Sequence, residues 1–395
     1  MESKINKNFC IQPFVNVTTR VGGQNNICCA MMQPHSNIQN ESPHEFFNSK
    51  RVQSIREKFL KGETLDACKV CHFQEAKTNS SARTVYNNFY KIDNNQPIEY
   101  YEKIIDRLRL KNIENPLYAE VHISNLCNLK CLSCNEADSS KFHAENKALG
   151  VSENPNADYS TFDKNKIDAL NSIIHDNLLF LDIRGGETLM VPEVKKILND
   201  LSPDKAKKIT LRIQTNGTIK PDQEWIQIFK KFKREKLTIS IDAYGNDNHY
   251  IRYPSNWKKI MDTLMHLEKN DVHFSINTVV SNLNLLVLDK LFAWIQEKQY
   301  HNYFYVLEAP SHYRPDNLPQ SLLDIASERL QNVKKNFVNK DCNEKLNELI
   351  EMCKSKSNTL RWQTFCKEIA MRDKYRKNSI TSVMPQIKEY MNAKV

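Results

Sequence analysis

Cys127, Cys131 and Cys134 stand in a C-x3-C-x2-C spacing directly behind a β-prone run, Tyr118–Ser124. Three thiolates on one short loop hold three corners of a cubane iron–sulfur cluster and leave the fourth iron without a protein ligand. An electron-transfer cluster calls for a fourth cysteine, and a structural zinc site for a fourth ligand, for which His122 and His143 are the near candidates. A second set, Cys10, Cys28, Cys29, Cys68 and Cys71, lies upstream, so that 8 of the 11 cysteines fall within the first 134 residues. The N-terminus lacks the apolar core of a signal peptide, and in that context the clustering reads as metal ligation before disulfides. Cys342, Cys353 and Cys366 sit on helical patterns and are expected as buried small hydrophobes.

The elements that position these residues alternate in type. Strand candidates are Leu117–Ser124, Leu178–Arg184, Ile209–Gln214, Leu237–Asp242, Val272–Val280 and Tyr303–Glu308. Between them run amphipathic patterns, for example Phe162, Ile167, Leu170, Ile173 and Ile174 behind a cap at Thr161, or Trp225, Ile226, Phe229 and Phe232 behind Pro221 and Asp222. Repeated strand–helix units imply an α/β fold with a parallel sheet and right-handed crossovers. Six units are too few for a closed eight-stranded barrel but suit a partial, TIM-like (β/α)6 barrel, with its chemistry at the carboxyl ends of the strands. The expected layout is an N-terminal cysteine-bearing domain over 1–114, the barrel over 115–310 and a helical C-terminal lobe over 311–395. In the first segment a helix is expected over Glu45–Leu60, closed by Gly62, and another from about His72.

Composition narrows the function. Of 395 residues only 8 are glycine, where a usual share gives roughly 28. No phosphate-binding P-loop, dinucleotide G-x-G-x-x-G turn or G-x-S-x-G nucleophile elbow can be written with them. A mean hydropathy of −0.61 and the lack of a long apolar run argue against a membrane span and for a cytoplasmic protein. The net charge is +9, to which Ser311–Val395 contributes sixteen Lys/Arg against ten Asp/Glu. Within it Arg361–Lys377 carries six basic and two acidic residues, the one feature that would suit nucleic acid. The stripe Trp362, Phe365, Ile369 predicts instead a helix packed on the rest of the protein, with Lys367, Arg372, Lys374 and Arg376 solvated.

From about Leu117 to Pro310 the sequence resembles the radical S-adenosylmethionine (SAM) superfamily, on the strength of Cys127-Asn-Leu-Lys-Cys131-Leu-Ser-Cys134 and Arg184-Gly185-Gly186-Glu187. The resemblance implies a 4Fe–4S cluster on the three cysteines, with SAM chelating its open iron and cleaved to a 5′-deoxyadenosyl radical that takes hydrogen from substrate. It implies that the Gly185-Gly186-Glu187 turn holds the methionine amino group. Further matches are Asn216 in Gln214-Thr215-Asn216-Gly217, Ser240 and Asp242 in Ser240-Ile241-Asp242, and Arg252. In relatives a serine at the Ser240 position and an arginine at the Arg252 position contact the ribose and carboxylate of SAM. The sequence departs from the family at Ala243, where Asp-Gly is usual, and Asn277 and Glu308 are further pocket candidates on the same rim.

The spacing Cys10-x12-Gly23-x4-Cys28 is similar to an element of the SPASM and twitch auxiliary-cluster domains, in which a later C-x2-C, here Cys68 and Cys71, adds ligands. The four thiolates Cys10, Cys28, Cys68 and Cys71 would ligate a second 4Fe–4S cluster, with Cys29 spare; a four-cysteine zinc ribbon is the alternative. Family members usually carry this module after the barrel, whereas here it precedes it. The resemblance further implies a peptide or small-molecule substrate, oxidised or cross-linked with the aid of the auxiliary cluster, and an electron donor such as flavodoxin or ferredoxin. A non-catalytic iron–sulfur or zinc protein bound to nucleic acid through the basic helix is the contrasting expectation.

Overall fold

The computed structural model describes residues 8–31, 36–78, 81–90, 115–157, 164–335 and 340–391; the expected cap at Thr161 and the stripe residue Phe162 lie outside them. The chain divides into two units, one of Met1–Leu126, Ala157–Ile213 and Gln227–Glu235, the other of Cys127–Asn156, Gln214–Ile226 and Lys236–Val395.

The first unit carries β1 (Asn16–Thr19), β2 (Gln24–Asn26), β3 (Ser36–Asn37), β4 (Tyr118–His122), β5 (Phe180–Arg184) and most of β6 (Thr210–Thr215). Their order is β3-β2-β1-β4-β5-β6. The two hairpin pairings are antiparallel, and β1 to β6 are otherwise parallel. Register aligns Thr18 with Glu120, Glu120 with Asp182, and Asp182 with Arg212. Side chains alternate across a strand. Ala119, Val121, Leu181, Ile183, Leu211 and Ile213 therefore share one buried apolar face, while Glu120, Asp182 and Arg212 share the other. There Tyr118 donates to Asp182 at 3.0 Å, Arg184 pairs with it at 2.8 Å and Arg212 also binds it. Those guanidiniums overcome the burial that pushes the Asp182 carboxyl up, and hold it well below the usual range.

The strands expected at β4–β6 are present, with slightly different ends. The expected helix Glu45–Leu60 is two, Pro43–Phe47 and Lys50–Leu60, because the Ser49 hydroxyl accepts the Val52 N–H and starts a new helix. The helix expected near His72 begins at Lys69.

The second unit carries most of β7 (Arg234–Ser240), then β8 (Phe274–Val280) and β9 (Asn302–Val306), mutually parallel. Helices Asn246–Ile251, Trp257–Lys269 and Leu288–Glu297 occupy the crossovers, and the chain ends in Gln320–Lys334, Lys340–Met352, Thr359–Arg376 and a short Lys388–Met391. The expected stripe of Trp362, Phe365 and Ile369 is buried, with Phe365 edge-on to Tyr313. Lys367 and Lys374 are exposed as expected. Arg372 and Arg376 are not: they are only 4% and 8% exposed. Steps of three and four from Ile369 put both on the buried face, and the buried Glu145 carboxylate compensates their charge there. Cys353 is buried and Cys366 half-buried, while the side chain of Cys342 lies outside the described ones. No described helix is long and apolar enough to cross a membrane.

Candidate metal and cofactor sites

In the second unit the cysteine loop is pinned at both backbone edges. Lys130 N–H donates to the Tyr253 carbonyl at 2.7 Å and Leu132 N–H to the Ile251 carbonyl at 2.9 Å. Ser140 accepts the Cys127 N–H at 3.2 Å, and Ser139 donates to the Leu129 carbonyl at 2.7 Å. Cys127, Leu129 and Cys131 form a small buried cluster against which Cys134 packs. Burial pushes the Cys131 and Cys134 thiols up, so a metal entering here displaces protons. Asn128, inside the motif, accepts from Asn216 Nδ2 at 2.8 Å and donates to Thr218 at 2.8 Å, which ties the loop to the residues following β6.

Arg252 stands beside this loop. Its Nη1 donates to Asp242 Oδ2 at 2.9 Å. Burial opposes its charge, but Cys131 and Asp242 outweigh that and keep it protonated. Its Nε is buried without a partner. A buried unpaired guanidinium donor is costly and points to a missing acceptor. The other oxygen of Asp242 accepts Val279 N–H at 2.9 Å, so that both are engaged and the residue orients Arg252. Ser240, at the end of β7, is buried and accepts from Gln214 at 3.2 Å. Asn277 on β8 leaves its buried Oδ1 unpartnered, whereas Glu308 pairs with Arg314.

In the first unit the turn after β5 presses on the segment that leads into the cysteine loop. Gly185 and Gly186 have φ of +95° and +43°. A Cβ on Gly185 would lie 2.7 Å from the Ser124 carbonyl oxygen, and one on Gly186 would collide with the Leu126 carbonyl. Only glycine fits so close an approach of two backbones. Glu187 N–H donates to that same Leu126 carbonyl at 2.8 Å, and its buried carboxylate accepts the Leu189 N–H at 3.2 Å.

The first unit also brings the upstream cysteines together. Cys10 precedes the β1–β2 hairpin and Cys28 follows it; Cys68 and Cys71 lie at the start of the Lys69–Thr78 helix. These four line one cavity with Gln12 and Arg83. Cys29 is not among its lining residues; it lies nearer the Glu120 and Arg184 charges. Gln12 is 2% exposed and neither polar atom of its amide has a partner. Arg83 donates to the Phe9 carbonyl at 2.9 Å and to Glu75 at 3.0 Å, placing a fixed cation in the wall. Burial pushes the Cys10 and Cys28 thiols up, and that of Cys68 up to about 11. Among the described residues no three His, Cys, Asp or Glu side chains converge tightly enough for a single metal ion. His122, weighed as a zinc ligand, is engaged with Glu120 at 2.8 Å.

Gln12, Arg83, Asn128, Lys130, Glu145 and the buried placement of Arg372 and Arg376 are not among the residues expected from the sequence. Asn128 and Lys130 lie within the cysteine motif, and Arg372 and Arg376 continue the stripe from Ile369 at helical steps; Gln12, Arg83 and Glu145 carry no local pattern.

The radical SAM superfamily model matches residues 121–285. The AdoMet-dependent heme synthase of Methanosarcina barkeri (strain Fusaro / DSM 804) is 28% identical over 185 residues, 46% of this chain and 48% of that protein. The chain thus spans about half the length of that curated relative. Among solved structures, native anSMEcpe with bound AdoMet overlaps 56% of this chain and 60% of its own at a TM-score of 0.41 and 19% identity. Streptococcus suis SuiB bound to S-adenosylmethionine overlaps 72% and 64% at 0.37 and 13%. At these TM-scores the overlap is loose. The cysteine loop and the glycine turn both lie inside the stretch that the radical SAM superfamily model matches.

Proposed function

We propose that the chain is a radical SAM enzyme whose substrate is a peptide or small metabolite, oxidised or cross-linked after hydrogen abstraction. In this reading residues 115–310 form a partial (β/α)6 barrel, 1–114 an auxiliary-cluster domain and 311–395 a helical lobe. Cys127, Cys131 and Cys134 hold a 4Fe–4S cluster; the Gly185–Glu187 turn receives the methionine amino group of SAM. Arg252 meets its carboxylate, oriented by Asp242, and Ser240 and Asn216 lie at its ribose end. The observation that carries the assignment is the pairing of three loop thiols with the buried, unpartnered Nε of Arg252, a donor with no acceptor beside a site that needs an anionic ligand. The bound cluster and SAM supply one-electron cleavage of the sulfonium to a 5′-deoxyadenosyl radical, and the protein contributes binding, orientation and exclusion of water.

A second 4Fe–4S cluster on Cys10, Cys28, Cys68 and Cys71 is supported by their shared cavity and by the unpartnered Gln12 amide in its wall. Low-potential clusters need a reductant-rich compartment, which favours the cytoplasm and a donor of the flavodoxin or ferredoxin kind. Iron and sulfide analysis after anaerobic reconstitution tests the ligand sets. The expected content is about eight irons per chain, falling to about four in Cys68→Ala and about four when Cys127, Cys131 and Cys134 are all alanine. One zinc per chain that is lost in Cys68→Ala would replace the auxiliary cluster with a zinc ribbon, and iron content indifferent to the triple substitution would overturn the whole assignment.

A further inference from the structure

The C-terminal helix Thr359–Arg376 reaches the cysteine loop at one point, and the contact is built from buried charge. Arg376 Nη2 donates to the backbone carbonyl of Lys130, the residue immediately before Cys131, at 2.8 Å. The same guanidinium grips Glu145 through Nε at 3.0 Å and Nη2 at 2.8 Å. Glu145, with a side chain 0% exposed, also takes Lys130 Nζ at 2.7 Å and Arg372 at 3.0 Å. Lys130 Nζ sits 5.4 Å from the ring centre of Tyr253 and 5.0 Å from that of Tyr375, within cation–π reach of both. Arg372 continues outward to Asn146 at 3.1 Å and Glu368 at 2.8 Å. Loop, Glu145 helix and last turn of the C-terminal helix are thus joined by one carboxylate, two guanidiniums and an ammonium.

An ordinary surface anchor is exposed and contributes little. This one is desolvated, which a fold tolerates only when geometry is tightly set, and its acceptor is the ligand loop's own backbone. We infer that Arg376, Glu145 and Lys130 are positioning residues that fix the spacing of the cysteine ligands, so that the C-terminal helix holds the cluster loop in its binding shape. The inference rests on the reading of that loop as the SAM-cluster site, but the shape of the loop is measurable without metal.

The test compares alkylation of individual cysteines by iodoacetamide in the metal-free full chain, followed by peptide mass spectrometry. Arg376→Gln should label Cys131 at least tenfold faster than the parent, Arg376→Lys should be intermediate, and the buried Cys353 should report no change. Unchanged labelling of Cys131 in Arg376→Gln overturns the inference. If Cys353 accelerates as well, that variant has opened globally, and the milder Tyr375→Leu decides: it removes one wall of the Lys130 site and should speed Cys131 severalfold with Cys353 flat, whereas no change at Cys131 overturns the inference. In reconstituted protein carrying Cys68→Ala, the electron paramagnetic resonance signal of the reduced remaining cluster should change on adding SAM, and Arg376→Gln should weaken that change. A signal indifferent to SAM before any change at Arg376 counts against the SAM reading while the alkylation result still judges the clamp.

Discussion

Glu368 shows how single residues set the charge pattern around the C-terminal helix. Burial pushes its carboxyl up, but the hydrogen bond from His312 at 2.7 Å and the Arg372 charge overcome this and hold it at about 2, against 4.5 when free. Because the folded value is depressed, its stabilisation is complete above about pH 4.5 and disappears as pH falls toward 2, a contribution on the order of 3 kcal/mol. Urea melts of the metal-free chain should therefore show Glu368→Gln well below the parent at pH 7, with the gap narrowing below about pH 4.5 and closing only near pH 2. A constant gap across that range would contradict the pairing. The fate of Arg372 and Arg376 belongs to this scale too. Both read as solvated because charge on a helix normally is, and the partner that draws them inward, Glu145, lies 227 and 231 positions away in the chain. No window of sequence could show it.

Among the elements, the six later strands were legible because each sets two or more of Val, Ile, Leu, Phe and Tyr within a few residues between turn residues, while β1, β2 and β3 were not. Their residues are Asn-Val-Thr-Thr, Gln-Asn-Asn and Ser-Asn, and they are strands because β1 finds the free edge of β4, a tertiary effect that propensity does not contain. The cysteine spacings stand out in the sequence, but the Gln12 amide and the Arg83 cation in the cavity wall do not, since each becomes notable only by burial. The turn after β5 supplies a prediction of its own. Gly150 also has a positive φ, +70°, but nothing lies within 4 Å of its Cβ position. Gly150→Ala should cost about 1–2 kcal/mol, the left-handed penalty alone, and still assemble the cluster. Gly186→Ala meets the Leu126 carbonyl next to Cys127, so it should lose more stability and most of the iron at the triplet. Iron content and urea midpoints measured on the two variants decide it, and equal losses would remove the close approach from the account.

At the scale of the whole molecule, scarcity of glycine and clustering of cysteine excluded nucleotide-fold enzymes and pointed to iron–sulfur chemistry, and the superfamily match over residues 121–285 agrees. The net charge of +9 would suit a polyanion. With Arg372 and Arg376 buried against Glu145, two of the six basic residues on the one candidate helix are committed to the fold, not offered to phosphates. Cys127, Cys131 and Cys134 are proposed to support reductive cleavage of SAM. The most direct measurement is 5′-deoxyadenosine formed by the anaerobically reconstituted protein with SAM and dithionite. The parent should form it, Cys68→Ala should still form it without substrate, and none should form when the three cysteines are alanine; undiminished 5′-deoxyadenosine from that triple variant would rule out the triplet as the site of cleavage.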